Sequence, residues 1–177
     1  MSTNSAKMIL GLIVAVVIGM AGCAGGPGHM VKQDKLLDVR EVKPQPGMAA
    51  VVVTRNTNFG GAVEFAAYLN QKMFGVTRWK SCFYKDDIQP GSHYISAYGE
   101  NLDSLLMDLA PDKTYYLTHD PRMGFWKAAV SIGVTTVDVA TQENEGGCNH
   151  YVYDSKNPGD DLSEKDWDYA KSNARKP

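Results

Sequence analysis

Apolar positions change their period along this chain. Residues Met8 to Met20, MILGLIVAVVIGM, form a near-unbroken apolar run of roughly 13 residues. It follows the polar segment MSTNSAK, which carries one positive charge at Lys7, and precedes the small residues Ala21 and Gly22. This is the three-part layout of an export signal, and it falls short of the roughly 20 apolar residues that span a bilayer. From Ala49 onward the period is two, as expected of half-buried strands. AAVVVTR places Val51 and Val53 on one face, and VEFAAYL places Val63, Phe65, Ala67 and Leu69 together with Glu64 opposite. HYISAYG, LLMDL, TYYLTH and FWKAAVSI continue the series. Turn residues punctuate it: Asn70 and Gln71 bend a hairpin, Pro90 and Gly91 make a tight turn, and Pro111 and Asp112 make another. Short strands at this spacing predict an all-β antiparallel sandwich rather than βαβ units.

The two flanks read differently. Residues 24–47 mix Gly and Pro with a charged middle and read as a tether with an r.m.s. span of roughly 27 Å, in which KLLDVREV forms a short strand or a turn of helix. At the other end, LSEKDWDYAKSNARK opens with Ser163 as an N-cap and Asp166 three residues on, giving a short polar helix or a frayed tail. The expected organisation is a signal peptide over 1–22, a tether over 23–47, a sandwich over 48–142 and an extension over 143–177.

Composition narrows the classes. A chain of 177 residues with 44% hydrophobic and 21% charged residues suits one domain with a core. Its net charge is -2 and its basic residues are scattered, which argues against a nucleic-acid partner. Three cysteines, Cys23, Cys82 and Cys148, form no CxxC pair and no zinc-ligand spacing.

Met20, Ala21, Gly22 and Cys23 resemble the lipobox of bacterial lipoproteins. The resemblance implies that the Cys23 thiol receives a diacylglyceryl group, that the chain is cut before it, and that the new amino group is acylated, with palmitate or a similar chain. Ala24 stands where an inner-membrane lipoprotein tends to carry Asp, which implies the periplasmic leaflet of the outer membrane. Two or three acyl chains hold a protein on a bilayer in practice permanently. The succession AAVVVTR, FAAYLNQKMFG, SCFYKDDIQPGSHYISAYG and LLMDLAPDKTYYLTHD resembles a family of bacterial lipoproteins carrying a domain of unknown function, over Met48 to Gln142. Pro90, Gly91 and His93, with Lys113, Thr114 and Tyr115, also resemble PEGA-type modules, which are small immunoglobulin-like β-sandwiches of envelope proteins. These resemblances imply a fold and a location, and they imply no reaction and no cofactor.

With Cys23 acylated, Cys82 and Cys148 remain for an oxidising compartment, where they form a structural disulfide; the alternative is a redox-active pair. His93 and His119 read as strand-end histidines or, with Asp120, as a metal site, although HxH and HExxH spacings are missing; no metal and no cofactor are expected. Cys148 two residues from His150 is a weak nucleophile pattern, and Asp86 and Asp87 read as solvated carboxylates rather than a general acid and base. Tyr94, Tyr98, Tyr116 and Trp126 fall opposite the apolar set and form either a second core layer or a partner-binding face. The expected function is that of a lipid-anchored, non-catalytic envelope protein, an adaptor or accessory module whose partners are the membrane, through Cys23, and another envelope protein. The alternatives are a small-ligand or glycan-binding lipoprotein and a thiol redox enzyme.

Overall fold

The computed structural model describes residues 28–57, 59–125, 128–142 and 147–177. Ten strands and two helices follow in chain order: β1 Met30–Lys32, β2 Ala49–Arg55, β3 Phe65–Leu69, β4 Lys72–Thr77, β5 Ser81–Ile88, β6 Gly91–Tyr98, β7 Leu102–Leu109, β8 Thr114–Met123, β9 Ala128–Thr135, α1 Val137–Gln142, β10 Asn149–Tyr153 and α2 Glu164–Asn173. They form a six-stranded sheet in the order β1-β10-β5-β2-β8-β9 and a four-stranded sheet in the order β4-β3-β6-β7. Alternation decides the layers. Val51, Val53, Phe65, Phe83, Ile95, Leu105, Leu117 and Ile132 point between the sheets and make the main core. β2 lies inside its sheet and is buried along its whole length on both faces.

The predicted hairpin bend at Asn70 and Gln71 joins β3 to β4, with Asn70 at φ 56. The Pro90–Gly91 and Pro111–Asp112 turns do something else: each carries the chain from one sheet to the other, from β5 to β6 and from β7 to β8. At Gly75 the sheets come so close that an added Cβ would fall 2.3 Å from the Phe83 ring.

Three expectations are corrected. The antiparallel sandwich is in fact antiparallel-rich, since β2 pairs with β8 and β10 with β5 in parallel. The reason for β10 is the return path: the chain leaves β9 at one end, crosses the outer face through α1, and re-enters beside the start of β5. Next, the tether boundary moves, because residues 28–47 are packed onto the sandwich. Met30 and Val39 are buried, β1 pairs with β10, and Leu37 bridges Cys148. KLLDVREV supplies a 3-10 turn over Val39–Glu41, capped by the Asp38 side chain. Finally, the sandwich does not stop at 142, since β10 completes the six-stranded sheet.

Of the two expectations for the C-terminus, the helix forms. The Ser163 side chain accepts from the Asp166 N–H, and α2 lies on the outer face of the four-stranded sheet with Leu162 and Ala170 buried against Tyr68. A polar helix needs few apolar residues when they fall on one stripe over an apolar sheet face.

Candidate functional site

The strand directions gather four connections at one end of the sandwich, where β2 and β8 finish and β5 begins; their described residues are 56–57 and 59–64, 78–80, 99–101, and 124–125 after β8. Beneath them lies a buried polar set. Arg55, the last residue of β2, is fully buried, and its guanidinium donates to the carbonyls of Val63 at 2.5 Å, Phe59 at 3.0 Å and Gly60 at 2.7 Å. It sits 4.4 Å from the centre of the Phe65 ring. No carboxylate partner of Arg55 occurs among the described residues, and burial, with the nearby Arg78 charge, pushes its pKa down to about 10. Carbonyl dipoles and an aromatic face therefore carry the charge, and residues 59–63 are wound around it.

His119 lies alongside. It is fully buried, its Nδ1 is 2.8 Å from Thr77 Oγ1, and its Nε2 has no partner among the described residues. Burial and then the Arg55 charge push the imidazole down to about 3, so the ring is neutral at physiological pH.

Above this set the loops carry large apolar side chains outward. Phe59 and Trp79 are 46% exposed, and Met123 and Phe125 are 86% exposed. The loops are cross-tied: Trp79 N–H donates to Gly61 O, Phe125 N–H to Glu100 Oε1 and Glu100 N–H to Ala128 O. Lys80 Nζ sits 5.3 Å from the Trp79 ring centre. Gly28 N–H donates to Glu64 Oε1 at 3.1 Å, and Glu64 pairs with Arg78, so the first described residue is tied to this same end. This cluster escapes a period-two reading, which assigns meaning only to strand positions. Its signal in the sequence is an aromatic residue beside glycine in a turn, as in Phe59-Gly60-Gly61 and Gly124-Phe125.

The residues singled out from the sequence fall elsewhere. Cys23 and Trp126 lie outside the described residues. Cys82 and Cys148 are bonded, with Cα atoms 5.8 Å apart, and both are buried. The three described aromatics do not share a face: Tyr94 and Tyr98 are on the outer face of the four-stranded sheet, Tyr116 on the outer face of the six-stranded one. Tyr94 is half-buried, edge-on to Trp167 of α2 at 5.3 Å, and Tyr98 meets Tyr68 edge-on at 6.5 Å. Tyr116 is half-buried beneath residues 37–42, its hydroxyl donating to Val39 O at 3.4 Å.

His93 and His119 are not brought together. His93 bonds Asn70 and the Gln89 carbonyl at the turn end of the β3–β4 hairpin, whereas His119 meets Thr77 and Phe65 at its other end. The Asp120 carboxylate accepts from the Thr118 hydroxyl. Asp86 and Asp87 sit at the irregularity where β5 gains a residue over β2, and Asp87 pairs with Lys85 at 2.6 Å. His150 stacks on Tyr84 with ring centres 5.5 Å apart, and the disulfide leaves it no Cys148 thiol to activate. Tyr84 also borders a shallow groove beside β4 and β10, lined by Asn70, Phe74, Lys85 and Tyr153. No protein-family model, curated protein or solved structure matches the chain.

Proposed function

We propose that this chain is a lipid-anchored protein of the bacterial cell envelope, held through acylated Cys23 in the periplasmic leaflet of the outer membrane. In this reading it is a non-catalytic adaptor or accessory module that docks another envelope component. The observation that carries the proposal is the lipobox-like Met20-Ala21-Gly22-Cys23 at the end of an export-signal layout, with Ala24 following. A disulfide between Cys82 and Cys148 agrees with an oxidising compartment. Confinement to a membrane raises the effective concentration of such a module near its partners without any new contact.

The PEGA-like or immunoglobulin-like character of the sandwich belongs to the same proposal. It is supported by the turns at Pro90 and Pro111 that switch the chain between sheets. Glycan or small-ligand binding is the second reading, favoured by the groove with the partly exposed Tyr84 ring. Thiol redox cycling has less support, since both bonded cysteines are buried.

Metabolic labelling with a palmitate analogue tests the anchor. The native chain is expected to take up label and to sediment with membranes, and Cys23→Ser to do neither; equal labelling of the two would rule the anchor out. Cross-linking in native membranes then tests the adaptor role, with a specific envelope protein expected for the native chain and lost in Cys23→Ser.

A further inference from the structure

We infer that the loop end is the surface on which the protein rests on its own membrane, with Phe59, Trp79, Met123 and Phe125 entering the phospholipid headgroup layer. This rests on the lipid-anchor reading and adds an orientation to it.

Reach selects the end. Gly28 is bonded to Glu64, and Glu64 to Arg78, the neighbour of Trp79. Only five residue steps separate Gly28 from Cys23, and a fully extended chain spans roughly 3.5 Å per residue, so the anchor lies within about 18 Å of Gly28. The opposite end, where Gly91 begins β6, is roughly 24 Å along that strand from Tyr98 at ~3.4 Å per residue. A link this short, leaving the fold beside the Glu64 carboxylate, lets an acylated Cys23 hold the loop end toward the bilayer.

Chemistry suits the contact. Four large apolar side chains project from one end into what would otherwise be water, and a Trp ring with a polar N–H belongs at the headgroup level. Lys80 and the exposed Arg122 flank them and match anionic headgroups. Of the carboxylates near them, Glu64 is paired with Arg78, and Glu100 and Asp120 accept from the Phe125 N–H and the Thr118 hydroxyl. Arg55 holds the carbonyls of the 56–64 loop from below, so Phe59 is displayed rather than folded inward.

The test uses full-length lipidated protein in phosphatidylethanolamine/phosphatidylglycerol vesicles, some containing brominated lipid. Flotation is read first, tryptophan quenching second, and amide hydrogen exchange third. The expected result is flotation, quenching that loses a component in Trp79→Phe, and slowed exchange over 59–64 and 122–125 relative to unlipidated Cys23→Ser in solution. Protein that floats but shows neither quenching attributable to Trp79 nor protection of these loops overturns the orientation and leaves the anchor standing. Protein that does not float overturns both. Loops protected only when an envelope protein is added, and not by vesicles, would make this end a protein interface and overturn the lipid contact.

Discussion

At the scale of single residues, the buried polar set under the loops shows how a charge is kept inside a small sandwich. Arg55 has three carbonyl acceptors and an aromatic face, and removing such a group leaves those acceptors unsatisfied. His119 makes a clearer prediction, through pH. Its folded value of about 3 lies below the ordinary 6.5, so the unfolded chain takes up a proton as pH falls through 6.5 while the folded protein does not. Stability from this group is therefore whole above pH 6.5 and is lost between there and about pH 3, at up to about 1.4 kcal/mol per pH unit. Urea unfolding of native protein and His119→Gln at pH 7, 6, 5 and 4 should show a shallower decline in the variant; parallel declines would assign the acid sensitivity to other groups. Neither role was legible beforehand. Arg55 ends an alternating strand, where a charge ordinarily meets water, and His119 is in phase with Leu117, which says inward without saying what it meets. Only the arrival of residues 59–63 over the end of β2 gives Arg55 its carbonyls.

At the scale of elements, local chemistry was the better guide. The Asn70-Gln71 hairpin and the Ser163 cap stand where the side chains predict them. The turns at Pro90 and Pro111 were equally visible, but a turn residue fixes a bend and not the partner of the strand that follows, so their switching between sheets was not. The chain after α2 adds another element. Arg175 N–H donates to Ser104 O and Leu106 N–H to Arg175 O, which covers the outer edge of β7. The Arg175 guanidinium reaches Asp103 at 2.7 Å and Ile132 O at 2.9 Å, tying that edge to β9 in the other sheet. Deleting residues 174–177 should cost about 1–3 kcal/mol and expose a strand edge open to pairing. Sedimentation velocity should then show self-association of the truncated protein at concentrations where the full chain does not self-associate; unchanged sedimentation would mean that the edge is protected by other means.

At the scale of the whole molecule, the flanks expected to be a tether and an extension close the six-stranded sheet together. β1 pairs with β10, β10 pairs with β5, and the disulfide joins β5 to the segment leading into β10 across a sequence separation of 66. Chain-entropy bookkeeping for a loop of that length gives about 4 kcal/mol as an upper value. Cys82→Ala/Cys148→Ala, or native protein under reductant, should unfold at correspondingly lower urea; an unchanged midpoint would mean that β1, β10 and α1 hold without the bond. What the sequence determined by itself is whatever depends on near neighbours along the chain: the period of two, the bends at Asn70, Pro90 and Pro111, and the cap at Ser163. Only the tertiary structure decided the parallel pairs, the burial of Tyr116 under residues 37–42, the separation of Tyr94 and Tyr98 from Tyr116, and the gathering of Phe59, Trp79, Met123 and Phe125 at one end. Each of these depends on contacts between segments far apart in the chain, and side-chain period constrains which face is buried but not which distant segment covers it.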